Sequence, residues 1–279
     1  MISDYDYSKI ENYDELRKLQ LTQLEILKYV DKFCKDNDIK YSVTYGTMLG
    51  AIRHGGFIPW DDDMDICMLR ADYDKFIRLW KDTDRYLLQN HNTEKSFTQS
   101  FTKIRMKNTA FVQETDLGKN FHKGIFIDIF PLDRVPNGNF KRMIQMIDAM
   151  KYNLYMRGYA PKDQGIFTFV SNIILKTTRK SKYEDKIKKY YKKMCRYNSN
   201  NNFELADMSV FETIKAPYQN NLMDKFVDVR FEDADVMITS EYLDLLTTYY
   251  GDYMKLPPES EQTWSHHPFL IDFDKEYAE

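Results

Sequence analysis

The chain has 279 residues, 43% of them apolar and 15% aromatic, with a formal net charge of −3. That apolar content can bury a real core, as one large domain or one domain with an elaboration, and it excludes a disordered chain. A near-neutral balance, with a pI near 6.0, excludes nucleic-acid binding through bulk charge, so no nucleic-acid partner is expected.

The N-terminal MISDYDYSKIENYDE is polar and acidic and lacks the charged-then-apolar layout of a signal peptide. A cytoplasmic location is therefore expected, with room for a peripheral place at the inner membrane face. Cys34, Cys67 and Cys195 are odd in number and widely spaced, which argues against a disulfide framework or structural zinc. The longest mostly apolar run, Ile166 to Leu175, is too short to span a bilayer.

Leu16, Leu19, Leu24, Leu27, Val30 and Phe33 recur at helical spacing and predict a helix over 13–36. KYSVTYG alternates like a strand ending at Gly46, and Thr47 reads as the N-cap of a short helix that Gly55-Gly56 stops. After Pro59, DDMDICML reads as a second strand and ADYDKFIRLWKD as a helix. RYLLQ, SFTQSFTKIRM, AFVQE and GIFIDIFPLD (124–133) read as strands. Beyond Pro136 the expected elements are helices over 140–157 and 166–196, short strands near 208–211 and 226–231, and a helix from about Thr239. The fold class is α+β, or mixed α/β: a core sheet with flanking helices over 1–135, then a largely helical part over 136–279 that packs on the core rather than forming an independent domain.

The segment YGTMLGAIRHGGFIPWDDDMDI, Tyr45 to Ile66, crowds Asp61, Asp62, Asp63 and Asp65 among apolar neighbours. Two like charges about 4 Å apart repel by roughly 4 kcal/mol at an effective dielectric near 20. Such a cluster points to a cation within it. On a strand Asp61, Asp63 and Asp65 share one face and Asp62 the other, so Asp63 and Asp65 can converge on one divalent ion. Gly46-Thr47, at a strand-to-helix junction, would let a phosphate approach the backbone beside a positive helix end.

These residues resemble the signature of the LicD family of phosphotransferases, related to the fukutin-related proteins. GIFIDIFPLDR and the late YGDYMKLPPE and HHPF resemble that family's other blocks, with residues 137–225 the weakest part. The resemblance implies a nucleotidyltransferase-like core and Mg²⁺ or Mn²⁺ as cofactor. It also implies transfer of a phosphorylated alcohol, first of all phosphocholine from CDP-choline, onto a sugar of a cell-surface glycan such as teichoic acid or lipopolysaccharide. The expected partners are thus a CDP-alcohol donor and a glycan or lipid-linked glycan acceptor. Ribitol, glycerol or ethanolamine could replace choline; a nucleotidyltransferase or a D-x-D glycosyltransferase is the alternative.

The implied fold wants a third carboxylate on a neighbouring strand. Asp128, an isolated acid in a strongly apolar strand, is the candidate, because a lone buried Asp is costly without a metal or cation. Asp133 is its rival, expected in a turn after Pro131. The catalytic and metal set is thus Asp63, Asp65 and Asp128, with Asp61 beside it. Arg53, His54, Lys103 and Arg105 could neutralise a diphosphate, and His266 and His267 could close over the site. Lys176–Arg196 holds ten Lys/Arg against two acids. It reads either as a solvated helix face or, with the apolar stretch before it, as a contact with anionic lipid.

Overall fold

The computed structural model describes residues 6–162, 164–266 and 268–278. Its chain divides into two compact units. The first comprises Met1–Gln89, Thr102–Phe130 and Asn221–Glu279, and the second Asn90–Phe101 and Pro131–Asn220. The sequence places a boundary after residue 135; the chain instead returns residues 221–279 to the first unit, because their strands and loops pack on its core.

In the first unit, helix α1 spans Tyr13–Asp36 as its spacing predicts, and buries Leu16, Leu19, Leu24, Leu27 and Val30. The short strand β1 (Ser42–Val43) leads straight into helix α2 (Tyr45–Arg53), whose N-cap is Thr44 rather than Thr47. Strand β2 covers Asp65–Leu69, so Asp61–Met64 precede the strand instead of forming it. Helix α3 (Arg70–Leu79) follows, then strands β3 (Tyr86–Gln89), β4 (Thr102–Met106), β5 (Ala110–Val112) and β6 (Phe126–Val135). The sheet order is β1-β2-β6-β4-β3. Antiparallel β4–β6 pairing sets Lys103 opposite Asp128. That register decides the site, because both side chains then lie at one point of one sheet face.

Two late elements were not legible as strands. β8 (Phe226–Phe231), expected, pairs with β9 (Ala234–Thr239), where the sequence suggested a helix start; that helix begins later, at α8 (Tyr242–Tyr250). The hairpin docks on the core through hydrogen bonds from Thr239 N to Ser42 Oγ and from Met237 N to the Tyr41 hydroxyl. Strand β10 (Leu270–Asp272) pairs with β5 and pins the C-terminal loop to the first unit.

In the second unit, Leu132–Val135 of β6 pairs with β7 (Glu204–Asp207). β6 therefore runs straight through Pro131, which falls between the last partner on β4, Ile129, and the first on β7, Leu132. Proline's missing N–H costs nothing where no ladder bond is required. Asp133 consequently lies in a strand, not a turn: it is fully buried and accepts a hydrogen bond from Asn198. Helix α4 (Asn139–Arg157) is followed by two helices where one was expected, α5 (Ile166–Thr177) and α6 (Tyr183–Met194), and then by the short α7 (Phe211–Lys215). α6 buries Ile187, Tyr190 and Met194 in a second core with Tyr152, Tyr155 and Ile214.

Candidate active site

The acidic segment has a backbone fixed at nearly every residue. From α1, Gln20 Nε2 donates to Asp61 O at 2.9 Å and Gln23 Nε2 to Asp62 O at 2.9 Å. The Met64 carbonyl accepts from Asp128 N at 2.8 Å. Asp65 N donates to Thr47 Oγ1 at 2.8 Å, and Asp65 O accepts from Thr44 N at 3.0 Å. Three elements thus aim four carboxylates before any ligand arrives, the condition for a precise charged site.

The side chains repel one another strongly. One carboxylate oxygen each from Asp61, Asp62 and Asp63 lies within 4.8 Å of the others. Burial pushes the carboxyl pKa values of Asp61 and Asp65 well above the usual range. The negative charge of Asp63 raises both further, and those of Asp128 and Asp61 raise Asp65. Asp63 is raised by burial as well, with nearby His266 pulling it back. Asp63, Asp65 and Asp128 are therefore within electrostatic reach of one another. Lys103 Nζ bonds Asp128 Oδ1 at 2.6 Å and lies 3.2 Å from the centre of the Phe126 ring. Burial lowers the lysine pKa, partly offset by Asp128.

Asp62 has a different task. It is fully buried and accepts from Ser265 N at 3.2 Å and His266 N at 2.9 Å, and pairs with His266 Nδ1 at 3.1 Å. Burial alone would depress the His266 pKa; the Asp62 hydrogen bond and the charges of Asp62 and Asp63 reverse this, leaving it raised. With its oxygens engaged, Asp62 is the carboxylate of the cluster least available to a cation. Among the described residues, the carboxylate oxygens close enough to share one ion belong to Asp61, Asp62 and Asp63, while Asp65 and Asp128 are linked to them by charge. These are the hard oxygen donors that Mg²⁺ or Mn²⁺ prefers, so the residues present fit such an ion at Asp61 and Asp63.

The remaining expected residues are placed as follows. A Cβ on Gly46 would meet Asp61 Oδ2 at 2.6 Å, so this glycine admits the Asp61 carboxylate beside the start of α2. Thr47 holds β2 rather than capping a helix. Arg53 is buried and donates to the carbonyls of Tyr253 and Lys255 and to His54 Nε2. Burial and the Arg53 charge take the His54 pKa down to about 4. Arg105 bonds Gln89 Oε1 and the Gly124 carbonyl. His267 lies outside the described residues. No sequence motif marks Gln20, Gln23, the clamp at Asp62 or Tyr250 as part of the site. Burial, with Asp61 and Asp65 nearby, pushes the Tyr250 phenol up to about 12. Two glutamines on the apolar stripe of α1 were the signal available for the first pair.

The family description "LicD/FKTN/FKRP, nucleotidyltransferase domain" matches residues 38–153, which contain all four clustered carboxylates. Over 262 residues the chain is 32% identical to the lipopolysaccharide cholinephosphotransferase LicD of Haemophilus influenzae, covering 90% of this chain and 96% of that protein. The chain belongs to the LicD family. An uncharacterized protein of Rickettsia typhi is 37% identical to this LicD chain over 65 residues, 23% of this chain and 21% of the relative.

Proposed function

We propose that this LicD protein is a metal-dependent phosphotransferase that moves phosphocholine from CDP-choline to a sugar hydroxyl of a cell-surface glycan, releasing CMP. The observation carrying the reading is the cluster of Asp61, Asp63, Asp65 and Asp128, whose burial and mutual repulsion are offset on the chain by Lys103 and His266. Near-full-length likeness to a lipopolysaccharide cholinephosphotransferase supports the substrate class.

Phosphoryl transfer is catalysed mainly by positioning and charge neutralisation. A divalent ion held by Asp63 and Asp65, with Asp61 or Asp128 completing its ligands, would supply charge neutralisation at the donor diphosphate. Lys103 adds a fixed positive charge and orients Asp128. The acceptor hydroxyl oxygen forms the new bond to the choline-bearing phosphorus as the bond to CMP breaks, and the hydroxyl proton passes to Asp128 or to water.

The test is turnover with a panel of CDP-choline, CDP-ethanolamine, CDP-glycerol and CDP-ribitol, with Mg²⁺ and a lipopolysaccharide or teichoic acid acceptor, scoring CMP. CMP release with CDP-choline, abolished by EDTA and lowered at least about a thousandfold in Asp63→Asn and Asp65→Asn, is expected. Pyrophosphate as product, or turnover surviving EDTA, would falsify the reading.

A further inference from the structure

Helix α5 is turned inside out. Ile166, Phe169, Val170 and Ile173, spaced i, i+3, i+4 and i+7, are 72%, 65%, 45% and 46% exposed, and Phe167 beside them is 56% exposed. The opposite side carries Thr168 and Ser171, both half-buried, and Thr168 Oγ1 donates to the Pro161 carbonyl at 2.8 Å. Such a stripe ordinarily faces a core. The last turn is tied down: Ile174 and Leu175 pack on the second core, the Tyr183 hydroxyl donates to Leu175 O, and Thr178 pairs with the Tyr155 hydroxyl.

The charges around the helix choose its occupant. Arg157 and Lys162 precede α5, Lys176 lies in its last turn, and Arg179, Lys180 and Lys182 follow at once; all six are exposed. Asp163 is the one acid in the sequence between Arg157 and Lys182. An apolar helix face rimmed by cations matches the boundary of an anionic bilayer, where the apolar side chains enter the acyl region and the lysines meet headgroup phosphates. A second copy of the chain fits poorly, because a two-fold interface sets like charges against like. A stripe of five side chains is also small beside the roughly 1,200–2,000 Å² of a stable protein interface.

We infer that α5 is a membrane-docking helix that lies in the surface of an anionic lipid leaflet, inserting Ile166, Phe167, Phe169, Val170 and Ile173. The surface does not depend on which alcohol is transferred, and its readout is independent of turnover. α6 contributes charge at most, since Ile187, Tyr190 and Met194 are committed to the core.

The experiment is co-sedimentation of the full chain with vesicles of phosphatidylglycerol and phosphatidylcholine in equal parts, and with phosphatidylcholine alone. The wild type should partition at least about tenfold more into the anionic vesicles at low salt, and lose most of that preference near 1 M salt, where the Debye length falls to about 3 Å. Ile166→Ser/Phe169→Ser/Ile173→Ser should lower binding at least about tenfold while keeping the wild-type circular dichroism and CMP release. Lys176→Gln/Lys180→Gln/Lys182→Gln should bring anionic and neutral vesicles to parity. Wild-type protein that ignores anionic vesicles, binds both vesicles equally, or forms a dimer that the serine variant disrupts would overturn the inference.

Discussion

Four neighbouring aspartates divide into two jobs, and the difference lies in what each carboxylate faces. Asp61, Asp63 and Asp65 face one another and Asp128, and burial without enough positive charge drives their proton affinity up. Asp62 faces two backbone N–H groups and an imidazole. It serves as a clip between the acidic segment and the C-terminal loop. Asp62→Ala would strand the two half-buried donors of His266 and remove the partner of the Ser265 N–H, a loss of about 2 kcal/mol. The expected outcome is a urea midpoint lowered accordingly, with Asp62→Glu recovering part of it. A midpoint within error of wild type would mean the loop is held by the β5–β10 pairing alone.

At the scale of elements, α1, α3, β3 and the strand around Asp128 were legible because their periodicity is local. The start of α2 was not. KYSVTYG alternates like a strand, yet helix begins at Tyr45, whose φ of 47° lies in the left-handed region. Tertiary demands override the local pattern there: Thr44 and Thr47 grip both ends of the Asp65 peptide, and the Tyr45 ring packs edge-on to Phe130. The acids' grouping was readable from i, i+2 spacing, although the strand begins only at Asp65. Asp62's partner was not readable, since it lies 204 positions away at His266. The outward face of α5 was readable as one of two alternatives, because its apolar stretch directly precedes the basic run Lys176–Arg196. The glycine at the start of α2 gives a sharp test. In Gly46→Ala the new methyl group displaces the end of a flexible Asp61 side chain rather than backbone. The fold should survive, with a stability change of about 1 kcal/mol or less, while kcat/KM falls at least about tenfold through a misplaced Asp61. A melting temperature that collapses, with unchanged specific activity, would instead assign Gly46 to packing.

Across the whole molecule, the cluster makes stability and function pull in opposite directions. The raised pKa values mean that the folded chain binds more protons than the unfolded chain at pH above the ordinary aspartate value of about 3.9. The sign follows: stability contributed by the protonated carboxyls is fully present below that pH and is lost as pH rises through the elevated folded-state values. In metal-free protein these groups should therefore lower the melting temperature as pH rises above about 4. Ligation needs the ionised form, so the gain in melting temperature on adding Mg²⁺ should grow with pH over the same range. Asp65→Asn tests both effects in one variant, because it removes one repelling charge and one metal ligand together. At pH 8 the variant should melt about 3 °C above metal-free wild type, the shift that about 1 kcal/mol gives in a chain of this size. It should also gain little or nothing from Mg²⁺ and be inactive. A variant less stable than metal-free wild type, yet still stabilised by Mg²⁺, would show that Asp65 is held as a satisfied structural acid, and the metal role would pass to Asp61 and Asp63.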